Sequence, residues 1–66
     1  MRYVLYTEDP NTHKEVYIRG VDPFETGAAR LEKTRHVSEA HAFSDARSAY
    51  DYGKRHRLFW WRVGQR

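Results

Sequence analysis

The chain has no cysteine, only two prolines and four glycines, and no long apolar run. The missing cysteines exclude a disulfide framework, a thiolate zinc site and a cysteine nucleophile. Stability must then come from packing, which suits a reducing compartment. Four scattered glycines cannot build a phosphate-cradling loop, and no G-x-S-x-G or H-E-x-x-H pattern occurs. No apolar stretch approaches the ~18 residues of a membrane span, and the N-terminus lacks the basic-then-apolar layout of a signal peptide. Neither a membrane protein nor a secreted one is expected. The 66 residues make one domain, 1–66, and a domain this small buries only about 60% of its unfolded surface. Hydrophobic content is modest at 39%, but 15% of the residues are aromatic. A few large rings can supply much of a small core.

What is present includes charge, unevenly placed. Between Gly53 and Arg66 lie five cations (Lys54, Arg55, Arg57, Arg62 and Arg66) and no acid, a net +5. Residues 1–52 carry seven cations against nine acids, a net −2. A positive tail on a slightly negative body says more about partners than the overall +3 does.

The hydrophobic pattern predicts an α+β fold: a three- or four-stranded, mainly antiparallel sheet with one helix on a face, in the order ββ(β)αβ. Residues 2–7 and 15–19 are β-branched and aromatic, and Pro10-Asn11 between them has the chemistry of a chain reversal. Alternation puts Tyr3 with Leu5, Tyr6 with Val4, and Val16 with Ile18, which suits a sheet with one wet face. Two readings compete for residues 22–34. Asp22-Pro23-Phe24-Glu25 has the form of a capping box, with Phe24, Ala28 and Leu31 on one helical face. Alternatively the chain turns at Asp22-Pro23, breaks at Gly27 and forms a third strand around Ala28 to Thr34. The strand is favoured, because two strands alone are a poor platform for a helix.

The helix itself is expected after Phe43, with Ser44 as N-cap and Lys54 and Arg55 in the last turn. Ala46, Ala49, Tyr50 and Gly53 follow the spacing of a buried face. Leu58 to Val63 reads as a closing strand, with Phe59, Trp61 and Val63 turned inward and Leu58, Trp60 and Arg62 outward. Two adjacent tryptophans on a strand cannot both enter one core, so Trp60 is expected outside.

Catalytic chemistry finds little support. His36 and His41 lie five apart, the wrong interval for two ligands on one helical face, and His13 and His56 are remote from both in sequence. No catalytic residue, metal ligand or cofactor is assigned, and the chain is read as non-enzymatic. The candidate binding surface is Lys54, Arg55, Arg57, Trp60 and Arg62. Clustered cations attract phosphate, and an exposed indole offers a stacking face to an unpaired base. The same residues also suit an acidic patch on a protein, since Arg and Trp are favoured anchors. Each has a structural use as well, in offsetting a helix dipole or guarding an edge strand.

The stretch Ala40-His41-Ala42-Phe43-Ser44-Asp45-Ala46-Arg47-Ser48-Ala49-Tyr50, followed by Leu-Phe-Trp-Trp-Arg-Val, resembles small accessory proteins of phages and prophages. In those, an A-x-x-F-S/D-x-x-x-A turn leads into one helix and a closing strand. Ala40, Phe43, Ser44 and Ala46 or Ala49 carry the match. Phe43-Ser44-Asp45 with Ala49-Tyr50-Asp51 is also similar to the helix of plant ethylene-response DNA-binding domains and of integrase arm-binding domains, which pack a three-stranded sheet on a helix. The first resemblance implies a phage or mobile-element protein in the cytoplasm of a bacterial host. It would contact nucleic acid or a nucleic-acid-handling host complex, as monomer or homodimer. Two alternatives stand beside it: a protein–protein inhibitor of a host enzyme, of the anti-CRISPR kind, and a homodimer whose aromatic interface is purely structural.

Overall fold

The computed structural model describes residues 2–66 and shows the expected α+β order. Strands β1 (Tyr3–Glu8), β2 (Glu15–Val21), β3 (Leu31–Thr34) and β4 (Arg62–Gln65) form one antiparallel sheet in the order β3-β2-β1-β4, and α1 (Ala46–Arg55) packs on β1 and β4. The β1–β2 hairpin turns where Pro10-Asn11 predicts. Its loop is closed by Asp9, whose carbonyl accepts from His13 N–H and whose Oδ1 accepts from Asn11 N–H, at 2.8 and 2.9 Å. Of the two readings for residues 22–34, the strand is found and the capped helix is not. Asp22 Oδ1 takes the Phe24 N–H at 2.9 Å, Gly27 adopts φ +63°, and a 3-10 turn over Gly27–Arg30 runs into β3. Phe24, placed on a helical face by the other reading, is 93% exposed.

The outer face of the sheet is covered in part and stays wet around Glu8 and Arg62. On the helix side the core is Leu5, Ile18, Phe43, Ala49 and Leu58; on the other side Val4, Tyr17 and Ala40 are buried, with Tyr6 and Val37 against them. The connection from β3 to α1 covers both. A short 3-10 turn at Val37–Glu39 lies on the outer side. The chain then passes between the first two strands: His41 N–H bonds the Ile18 carbonyl at 2.9 Å, and Phe43 exchanges two bonds with Tyr3 at 2.8 and 3.0 Å. Ala40 thus ends on one face and the Phe43 ring on the other. The outer face is tied down by Thr34 Oγ1, which donates to Glu39 Oε2 at 2.8 Å, and by Arg2, whose guanidinium donates to the Val37 carbonyl.

The helix begins one residue later than the sequence suggests. Asp45, not Ser44, is the N-cap, its Oδ1 accepting the Ser48 N–H at 2.7 Å, and that bond holds its carboxyl below the usual range. The buried face is Ala49 and Gly53 with Tyr52 packed alongside, while Ala46 and Tyr50 are exposed. Helix α1 closes with two bonds, Leu58 N–H to the Gly53 carbonyl at 2.7 Å and Arg57 N–H to the Lys54 carbonyl at 3.2 Å. This is the Schellman arrangement, and its left-handed position is held by Arg57 at φ +58° where glycine is usual. Arg30 completes the cap by donating to the His56 carbonyl at 2.9 Å.

That cap overturns the expected closing strand. Residues 58–61 form a turn and only Arg62–Gln65 joins the sheet. Leu58 is swung inward as the hydrophobic residue after the cap, 5% exposed, while Phe59 is 73% exposed. Both are the reverse of the alternating pattern. Trp60 is outside at 88% and Trp61 packs against the core, as anticipated. A turn separates the indoles, not a pleat.

Gly64 fixes how β4 lies. A Cβ there would stand 2.6 Å from Tyr6 Cε1 and 2.9 Å from Arg66 Nη1. The Tyr6 ring carries the Arg66 guanidinium 4.6 Å from its centre, and Glu15 grips that guanidinium at 2.6 and 3.1 Å. The ring cannot turn aside without disturbing that pair. Gly64→Ala should therefore cost about 1–3 kcal/mol through overpacking. A thermal melt unchanged from the parent would refute the close fit.

Candidate nucleic-acid interface

The five candidate residues come from four successive pieces of chain. Lys54 and Arg55 end α1, Arg57 holds the left-handed cap position, Trp60 sits in the turn, and Arg62 opens β4 opposite Tyr6. Five of the other cations have partners, Arg2 among them through the Val37 carbonyl. Arg66 pairs with Glu15, Arg35 with Asp9 at 3.3 Å, Arg47 with Asp51 at 4.0 Å, and Arg30 with a backbone carbonyl. Among the described residues, Lys54, Arg55, Arg57 and Arg62 form no ion pair. Their charge is available to a partner.

The surface is divided, however. Lys54 borders a groove of about 270 Å³ between the helix and the 58–61 turn, with Leu5, Tyr50, Phe59, Trp61 and Val63 among its walls. Trp60 and Arg62 border a different depression together with Tyr6, Thr7, Glu8 and Glu15. Arg55 lines a third hollow, with Phe43, Ser48, Asp51 and Tyr52. Thus Trp60 and Arg62 are brought together beside two carboxylates. Lys54 is brought to a wall of rings with no acid in it.

The carboxylates differ in commitment. Glu15 is held below the ordinary carboxylate range, first by the hydrogen bonds from Arg66 and then by the Tyr17 hydroxyl. Burial, and donation to that same carboxylate, push Tyr17 upward. Glu8 meets only the exposed His13, at 3.1 Å. The Trp60 side therefore presents negative as well as positive charge.

Sequence reasoning missed Tyr50 and Phe59 as surface rings. It assigned both to the core: Phe59 because a period-two spacing was continued across a cap that the sequence does not signal with glycine, and Tyr50 because it shares the helical spacing of Ala46, Ala49 and Gly53, whereas Tyr52 is the tyrosine that packs on the core. The histidines hold no cluster. His41 stacks on Phe43 at 4.4 Å and meets the tilted Tyr52 ring at 5.0 Å, and His56 meets Tyr52 at 4.5 Å. Tyr52, between them, is raised by burial and by Glu32. Among the described residues no group of three His, Asp or Glu side chains is placed to hold a metal ion, and no helix is long and apolar enough to cross a membrane.

Fold and surface together define a small α+β domain with a basic and aromatic C-terminal corner. No family model matches the chain, and no curated protein or solved structure matches it significantly.

Proposed function

We propose that this chain is a non-enzymatic binding protein, of the accessory kind carried by phages and mobile elements and acting in a bacterial cytoplasm, and that its helix-end cations hold nucleic acid. The observation that supports this reading most is the run of cations without ion-pair partners, Lys54, Arg55 and Arg57, the first of which shares a groove with the exposed Phe59 ring. Arg57 adds weight. A left-handed conformation costs an ordinary L-residue roughly 1–2 kcal/mol relative to glycine. The chain bears that cost at the position that puts a cation next to the turn.

Affinity for a short oligonucleotide, followed by fluorescence anisotropy, tests the proposal. Three phosphate contacts on a single strand give a salt slope of roughly −2, so affinity should fall about fifteenfold between about 50 and 200 mM salt. Replacing Lys54, Arg55 and Arg57 together by glutamine should remove most of the binding and most of the slope. Arg57→Gly alone should weaken binding while the melting temperature does not fall, since glycine relieves the backbone. No binding at the lower salt, or an unchanged slope in the triple variant, sinks the reading.

A second reading attaches to the Trp60–Arg62 depression. Its mixed charge, with Glu8 and Glu15 beside the indole, suits a protein surface better than phosphate. A partner there, as for an inhibitor of a host enzyme, should survive nuclease treatment in a pull-down and be lost on Trp60→Ala.

A further inference from the structure

Resting on the nucleic-acid reading above, we infer that the groove between α1 and the 58–61 turn seats one unpaired nucleobase, so that the protein selects single strands over duplex. The groove holds about 270 Å³, below the ~300–1,000 Å³ of pockets that take drug-sized ligands. Its floor is closed by Leu5 and Leu58, which are 1% and 5% exposed, and its rim carries two rings that are largely free, Phe59 at 73% and Tyr50 at 61%. Large apolar surfaces left open around a sealed floor mark a place for a flat apolar partner.

Charge decides which flat partner fits. Lys54 is the one charged side chain on the groove wall, and the uncommitted Arg55 and Arg57 follow it in the chain. An aromatic slot with a cation at its lip is complementary to a base joined to a phosphate. A base inside a duplex has both faces stacked and cannot present one to Phe59 or Tyr50. The pocket's chemistry thus excludes paired bases by geometry and tolerates any base, since each has a π-face.

The experiment separates stacking from charge. In a Trp60→Phe background, Trp61 on the groove wall is the sole indole and reports occupancy. A thymidine oligomer, an abasic oligomer of equal length and charge, and a duplex are titrated against it. The thymidine oligomer should quench Trp61 and bind about tenfold or more tightly than the abasic one, with the duplex also weaker. Phe59→Ala and Tyr50→Ala, both at exposed positions, should bring thymidine binding down to the abasic level, whereas Phe24→Ala, at a remote exposed ring, should not. Melting curves confirm that each variant is folded. Equal binding of thymidine and abasic oligomers overturns the groove assignment and leaves the phosphate reading standing. Failure of both oligomers to bind at low salt overturns both, and quenching of Trp61 by an apolar peptide but by no oligomer assigns the groove to a protein partner instead.

Discussion

Phe43→Ala is expected to remove about 3–5 kcal/mol of stability, the usual cost of deleting a buried aromatic ring. A chain of 66 residues has roughly 3–10 kcal/mol in total, at ~0.05–0.15 kcal/mol per residue. The substitution therefore spends much or all of the margin. The reason lies in where the ring arrives. The connection from β3 crosses between β1 and β2, and Phe43 is its buried side chain on the helix side, locked by two backbone bonds to Tyr3. Its ring lies 4.4 Å from His41 and 5.2 Å from Tyr52, so it fastens the helix to the crossing segment. Without the ring, the bonds to Tyr3 close over a void. In a domain of this size each kcal/mol moves the melting temperature by about 4–8 °C, which puts the expected drop at about 12 °C or more. A circular-dichroism melt within about 5 °C of the parent would show that the crossing does not depend on Phe43.

The sequence displayed the sheet well because its signals are local. Tyr3 with Leu5 and Val4 with Tyr6 divide as the pleat requires, Pro10-Asn11 marks the hairpin turn, and Gly27 marks a turn whose left-handed backbone favours glycine. What alternation could not show was a second layer on the outer face. Ala40 and Val37 are small, lie in a segment without periodicity, and meet Val4 and Tyr17 only through long-range contacts. A buried tyrosine such as Tyr17 looks like a surface residue until its hydroxyl is seen donating to Glu15 at 2.8 Å.

The candidate site was half visible for a related reason. Composition and charge located the corner at residues 54–62, and the exposure of Trp60 followed from the impossibility of burying two adjacent indoles. The division of that corner did not follow, because it depends on one cap. With Arg57 left-handed, Leu58 takes the inward place and Phe59 the outward one, the reverse of a continuous strand, while Trp60 to Val63 keep the expected sides. A Gly at position 57 would have announced the stop, and arginine concealed it. The same substitution of cation for glycine that obscures the fold in the sequence is the one that contributes charge to the proposed binding surface. Local rules give way where a function can be served, and the misreading of Phe59 therefore points toward the site as much as away from it.

Leu5→Ala carries the other large effect, and it tests whether fold and groove share a wall. Leu5 is 1% exposed, faces Val63 across β1 and β4, and lies under Gly53, where a Cβ would come 3.5 Å from its Cδ2. Helix α1 rests on this side chain at Gly53, and the same side chain floors the groove. Truncating a sealed leucine to alanine costs about 2–5 kcal/mol, the higher figures applying where the structure cannot collapse into the gap. Here collapse is opposed from two sides: the sheet is pinned by the outer layer, and the helix is held at its end by Arg30 and Leu58. Access of water through the groove works the other way, filling the gap without the cost of an empty cavity but leaving apolar walls wet. The loss should therefore fall at about 3 kcal/mol, or roughly 12–24 °C in melting temperature. Leu5→Met, which conserves volume, should cost less than about 1.5 kcal/mol. A small loss for alanine together with a large one for methionine would mean that the groove floor is crowded instead of sealed, and that the slot assigned to a base has no depth to receive it.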